Sequence, residues 1–280
     1  MDNVPTEFIE NVLCQAASLW TTSKYSQLSG LFGHCANQLD ENKIDKAVHI
    51  LDGEAVDVKY VTAKDKWVNV VEIHVPPKFR KRNYIQYSTS LSVVPILNEL
   101  KKPLEKLSQE PGMMTLQLFS SSIDTKWVQL FSSIRNLNAM YIQEALWNED
   151  IIALLKNLLK QEQLVELETN TVFYGPQERE ILEAFLLQGQ FKSLIFNSWN
   201  AKAYDSLKLL PRDKMTSKTI TWRCKIDIDY KSFKISGSSE TMISLETEEF
   251  SVRYINYEAA ADMSLEKFLI GVQCTAVRFK

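Results

Sequence analysis

Cysteine is scarce in this chain, and the four present, Cys14, Cys35, Cys224 and Cys274, form no C-x-x-C pair. That spacing excludes the common zinc and dithiol motifs and predicts scattered free thiols, mostly buried, in a reducing compartment. Glycine is scarce as well: the eight glycines include neither G-x-G-x-x-G nor G-x-x-x-x-G-K-[ST], so neither familiar backbone cradle for phosphate is encoded. The three histidines, His34, His49 and His74, have no second ligand at metal-binding spacing and are expected to be structural or merely exposed. No G-x-S-x-G elbow positions a serine nucleophile. Adjacent acids such as Glu248 and Glu249 carry little information in a chain with 35 acidic residues. These absences predict a protein that is no enzyme, with no cofactor and no metal.

Other absences bear on location. No apolar run reaches the roughly 18 residues that a membrane span needs, so no membrane association is expected. The first residues carry Asp2 and Glu7 rather than a basic segment followed by a long apolar one, and no N-x-S/T sequon occurs, so a secretory route is not expected. The expected compartment is cytoplasmic, nuclear or both.

What is present is ordinary for a globular protein: 45% hydrophobic and 24% charged residues,. The formal net charge of -3 gives no global basic footprint, so nucleic acid is not an expected partner. One local exception is "KFRKR" (78–82), where Lys78, Arg80, Lys81 and Arg82 precede Tyr84 and Tyr87. Cations interleaved with aromatics can grip single strands, and such a cluster can act as an import signal. The plainer reading is a solvated loop leaving a small sheet.

Along the chain the hydrophobic period changes three times. Residues 1–40 read as helical, with Leu28, Leu31, Phe32, Cys35 and Leu39 at helical spacing in the second half,. Residues 41–90 read as a small β-rich segment: "AVHIL", "AVDVKYV" and "WVNVVEIHV" are separated by the turn sequences "DGE" and "AKDK",. Residues 91–215 repeat themselves. Leu116, Met140, Leu167 and Leu194 anchor short apolar strands at spacings of roughly 24, 27 and 27 residues, inside the window of about 20–29 residues typical of leucine-rich repeats. Amphipathic helices are predicted between them over 124–134, with Trp127, Leu130, Phe131 and Ile134 on one face, over 148–160, capped by Asn148 or Asp150, and over 175–189, with a Pro176 first turn and Gly189 at the exit. Strand–helix–strand units of this period imply right-handed crossovers and a parallel sheet. None carries the asparagine or cysteine ladder of a well-formed leucine-rich repeat. Residues 216–280 return to strands and read as a β-rich cap, with "SGSSE" (236–240) as a surface turn. The fold class is therefore α/β: helices first, degenerate leucine-rich-repeat-like β/α units, then the cap.

Strand residues alternate between faces, so Gln117, Tyr141 and Glu166 are expected opposite the anchors as a candidate target-binding face.

The opening stretch "VPTEFIENVL" (4–13) predicts a one-sided helix. Phe8, Ile9, Val12, Leu13 and Ala16 share an arc of roughly 140°, from the ~100° step per residue. Glu7, Glu10, Asn11 and Gln15 hold the other side, and Pro5 suits the first turn. A lone helix of this length is marginal in water, so it must dock on something.

Val4 and Pro5, then the apolar pair Val12 and Leu13, then "LSGLFGHC" with Leu28, Ser29 and Leu31, together resemble an F-box. The usual pattern opens Leu-Pro, runs Ile-x-x-x-Leu and continues Leu-Ser-x-Val-Cys-x-x-Trp. Phe32 stands where cysteine is usual, Cys35 where tryptophan is usual, and the Asp-Pro or Asp-Leu that begins the second helix is missing. Nearly the whole chain, with "FSSSIDTKWVQLFSSI" (119–134) and "FLIGVQCTAVRF" (268–279), is similar to the large nematode-expanded F-box and F-box-associated families. The resemblance implies a substrate adaptor of the ubiquitin-like conjugation pathway. Val4, Pro5, Phe8, Ile9, Val12, Leu13, Leu28 and Leu31 would dock on the Skp-type linker of a cullin–RING ligase, and the repeats would hold the protein to be ubiquitinated. The alternative is a non-catalytic interaction module whose F-box has decayed into a structural cap with no ligase link.

Overall fold

The computed structural model describes residues 4–16, 27–42, 44–62, 67–68, 80–90, 98–110, 112–170, 175–197, 212–225, 234–239, 241–248, 250–259 and 263–280. The chain is mixed α/β and divides into two compact units, Met1–Gln117 with Ile134–Leu137, and Leu118–Ser133 with Asn138–Lys280.

In the first unit, α1 (Thr6–Ala16) and α2 (Gly30–Glu41) pack on each other. Their shared core is Ile9, Leu13, Cys35 and Ala36, edged by Val4, Phe32 and Leu39. Gly30 opens α2 at φ 74°, a left-handed value that a side chain resists. β1 (Ile44–Leu51) and β2 (Glu54–Thr62) form an antiparallel hairpin. Its turn is Asp52-Gly53, both at positive φ, 49° and 88°, as the tight turn matching strand twist requires. The Asp52 carboxylate also accepts Thr89 Oγ1 at 2.7 Å and Ser90 N at 2.9 Å. β3 (Trp67–Val68) pairs with β2, and β4 (Arg80–Ser88) runs parallel to β1 on its other side. α3 (Asn98–Gln109) and β5 (Met113–Leu118) complete the series, giving strand order β5-β4-β1-β2-β3.

Helix α3 is absent from the sequence reading because Pro103 lies inside it and normally ends a helix. Leu100, Leu104 and Leu107 are nonetheless buried at i, i+4 and i+7, and that burial outweighs the lost backbone bond.

In the second unit, α4 (Thr125–Ser132), β6 (Leu137–Ile142, all but its first residue), α5 (Glu149–Gln161), β7 (Glu166–Thr169), α6 (Pro176–Leu187) and β8 (Ser193–Phe196) alternate. β6, β7 and β8 are parallel, and Met140, Leu167 and Leu194 stand opposite one another in register. β9 (Thr219–Trp222) follows a 3-10 turn at Arg212–Met215 and also runs parallel, with Ile220 opposite Leu194. So the strand expected to open the C-terminal cap continues the parallel series by one more period. Sequential neighbours joined by right-handed crossovers put α4, α5 and α6 on one face. The anchors Met140, Leu167, Leu194 and Ile220 are buried on that face; in the first unit Leu116 is buried too.

The sheet then turns antiparallel through β13 (Cys274–Phe279), β12 (Phe250–Ile255), β11 (Met242–Glu246) and β10 (Lys234–Ser239), in that order from β9. Ser236–Ser239 of the expected "SGSSE" turn belong to β10. The expected strand over 268–279 begins as helix: α7 (Leu265–Ile270), capped by Ser264, precedes β13.

Caps set the helix starts. Asp124 accepts Lys126 N at 2.9 Å and Trp127 N at 3.0 Å. Asn148 rather than Asp150 caps α5, through Ile151 N at 2.9 Å. Replacing Asp124 with Ala is expected to lower stability by about 1 kcal/mol, read as a shifted urea midpoint at unchanged slope.

A side-chain ladder joins successive units where none was expected. Asn170 Nδ2 donates to Gln143 O, and Asn148 Nδ2 to Ser121 O, each across 27 residues. Gln161 Nε2 reaches Ser132 O and Gln188 Nε2 reaches Leu159 O, each across 29. These amides add side-chain donors to carbonyls near helix and strand ends, two of which, Ser121 O and Leu159 O, also accept a backbone N–H,. Lys218 continues the ladder, donating to the Gln188 and Phe191 carbonyls. Burial, with Lys192 nearby, holds its pKa below the ordinary lysine value.

Of the basic segment, 76–79 lie outside the described residues, as does His74, while Arg80, Lys81 and Arg82 begin β4 rather than a loop. Arg82 donates to the Tyr84 hydroxyl at 3.1 Å.

Candidate functional site

Two regions gather the residues singled out by the sequence. The first is the α1–α2 pair. Ile9 and Leu13, expected to face a partner, lie instead between the two helices, Leu13 only 4% exposed. Two helices this short need an apolar seam to persist in water, and these residues supply it. Phe8, by contrast, is 58% exposed, and Val12, Leu28 and Leu31 are exposed too. Phe8 and Val12 are one helical turn apart on α1, so they share a face. Val4 is half-buried against the seam and Pro5 is exposed. The Pro5 carbonyl accepts Phe8 N at 3.0 Å, which starts α1.

The second region is the sheet face turned away from α4–α6. Tyr141 stands opposite Glu168, whereas Glu166 stands opposite Ala139. Glu166 is 5% exposed, so it presents nothing to a partner. The residue equivalent to Tyr141 is Glu168. Adding the 27-residue period to Tyr141 finds it; Glu166 lies on the same face but two residues earlier, across from Ala139,. In the first unit Gln117 is half-buried and accepts Gln86 Nε2 at 2.6 Å.

Around Tyr141 the second unit builds a polar cluster at the C-terminal ends of β6–β9. One oxygen of Glu168 accepts Asn197 Nδ2 at 2.7 Å and Arg223 Nη2 at 2.8 Å. Phe119 meets the Tyr141 ring edge-on at 6.0 Å. Burial, then the neighbouring Glu168, pushes the Tyr141 phenol above the ordinary tyrosine value, while Arg223 and the carboxamides of Asn170 and Asn197 oppose the rise. At neutral pH the phenol is therefore protonated and able to donate. The Glu168 side chain is 12% exposed beneath Arg223, which is 56% exposed, so the guanidinium is what the cluster shows to solvent. Arg223 escaped the sequence reading because it follows the last strand of a series assigned to the cap.

This arrangement offers hydrogen bonds and an exposed cation. Burial pushes the thiols of Cys224 and Cys274 up, which keeps them protonated and poor as nucleophiles. Among the described residues no group of His, Cys, Asp and Glu could hold a metal ion. No helix among them is long and apolar enough to cross a membrane.

Compared with protein-family models, with curated proteins and with solved structures, the chain matches none.

Proposed function

We propose that this protein is a non-catalytic substrate adaptor of the F-box type. Its α1–α2 pair docks on a Skp-type linker of a cullin–RING ligase, and its leucine-rich-repeat-like β/α units hold the protein to be ubiquitinated. The observation that carries the reading is the division of labour in α1 and α2. Ile9, Leu13, Cys35 and Ala36 close a small seam, which leaves Phe8, Val12, Leu28 and Leu31 exposed. Four large apolar side chains left in water by two short helices suit a helix-in-groove interface. The far face of β6–β9, with Tyr141 and Arg223 in place of Glu166, supplies the target-holding half.

A second reading is favoured by one observation: Ile9 and Leu13, two of the five residues of the apolar arc, are spent inside the protein. On that reading the F-box is a structural cap and the protein binds its partner with no ligase link. Co-expression with a Skp-type linker separates the two. Recovery of a stoichiometric complex supports the adaptor, and recovery of the chain alone supports the cap.

A further inference from the structure

β9 and β12 alternate, as does β13 beyond its buried first residue, Cys274. Ile220, Trp222, Val252, Tyr254, Thr275 and Val277 are buried on one face, so the residues between them belong to the other. Register places arginines on that second face. Arg278 stands opposite Thr219 on β9 and Ser251 on β12, and Arg253 stands opposite Ala276. Arg253 and Arg278 are thus diagonal neighbours, with backbones about 7–8 Å apart. Arg223, just past β9, reaches the same face, because it bonds Glu168 there. All three arginines are exposed.

Two like charges on adjacent strands repel, and neither Arg253 nor Arg278 has an ion-pair partner among the described residues. The carboxylates on this face are already engaged. Glu246, opposite Ser251, pairs with Lys280 at 2.7 Å, and Glu168 lies beneath Arg223. The face therefore carries surplus positive charge on a chain whose formal net charge is -3. Nothing in the packing of the sheet requires it.

The geometry points to a binding site for an extended acidic peptide on the face of β9, β13 and β12, read by Arg223, Arg253 and Arg278. Guanidinium forks match carboxylates two bonds at a time. Alternate side chains of an extended strand repeat about every 7 Å, which is the diagonal spacing of Arg253 and Arg278. Nucleic acid fits less well. The residues between the arginines, Thr221, Ala276 and Ser251, give no platform on which a base could stack. The site deepens the target-holding half of the proposed function and does not depend on the linker half.

The test is a titration of the full chain with acetylated hexaglutamate, hexalysine and a dT6 oligonucleotide. Saturable binding of hexaglutamate alone is expected, weakening as salt rises. The double variant Arg253→Gln/Arg278→Gln should lose at least tenfold in affinity at an unchanged melting temperature, while Arg179→Gln on α6 should bind like the wild type. No saturable hexaglutamate binding, equal binding by the double variant, or tighter binding of either other probe would overturn the site. The same double variant should still recover the linker, so failure here is distinct from failure of the adaptor reading.

Discussion

Replacing Leu13 with Asp is expected to unravel the α1–α2 pair, at a cost of about 3–5 kcal/mol. Leu13 is one of four buried side chains that hold these helices together. The substitution removes an apolar contact from a seam too small to absorb the loss, and it places a charge where no partner waits. At 11 and 12 residues neither helix exceeds the length of roughly 12–15 below which isolated helices are marginal in water, so neither survives the loss of the other. Amide hydrogen exchange reads the outcome directly: protection over 6–13 and 30–41 should vanish, while β6–β8 keep theirs. Unchanged protection in α1 would show that Leu13 does not carry the seam.

Replacing Phe8 with Asp is expected to do the opposite. Phe8 is 58% exposed, so a carboxylate there stays hydrated and the melting temperature should move by no more than a degree or two. Its position in the first turn of α1 even favours a negative charge. If Phe8 anchors the linker, the same carboxylate must be buried unpaired on docking, and a central aromatic anchor commonly carries more than 2 kcal/mol. Linker affinity should then fall by at least thirtyfold, with Leu31→Asp behaving alike. A large drop in melting temperature for Phe8→Asp would mean that Phe8 belongs to the fold. Unchanged linker affinity would remove it from the interface.

The parts of the fold that could be read from sequence are those in which one period dominates. The spacing of Met140, Leu167 and Leu194 was enough to place three parallel strands, and their register follows it. Asn148, one of two candidate caps, announced a helix start through its side-chain oxygen. Readings failed where two signals competed. Pro103 masked α3, although three leucines there keep helical spacing. β9 looked like the start of an all-strand region because strands follow it, and only pairing reveals that it runs parallel to β8. Gly271 and the residues after Ile270 hid the switch from α7 to β13.

The site was legible in outline and wrong in detail for the same physical reason. An apolar arc on a helical wheel says which residues avoid water, not whether they do so against their own chain or a partner. Ile9 and Leu13 went to the seam, and Phe8 and Val12 did not. On the sheet, Glu166 and Glu168 share a face because they are two residues apart; alternation gives the face, and only the strand register gives the row across from Tyr141. The three arginines become a group only once β9, β13 and β12 are laid side by side.

The most direct measurement of the central claim is a binding isotherm of the purified full chain against a purified Skp-type linker. The adaptor account predicts saturable one-to-one binding, abolished by Phe8→Asp and kept by the Arg253→Gln/Arg278→Gln double variant. No binding by a wild-type chain whose α1 and α2 are protected from exchange would contradict it and leave the helices as a structural cap.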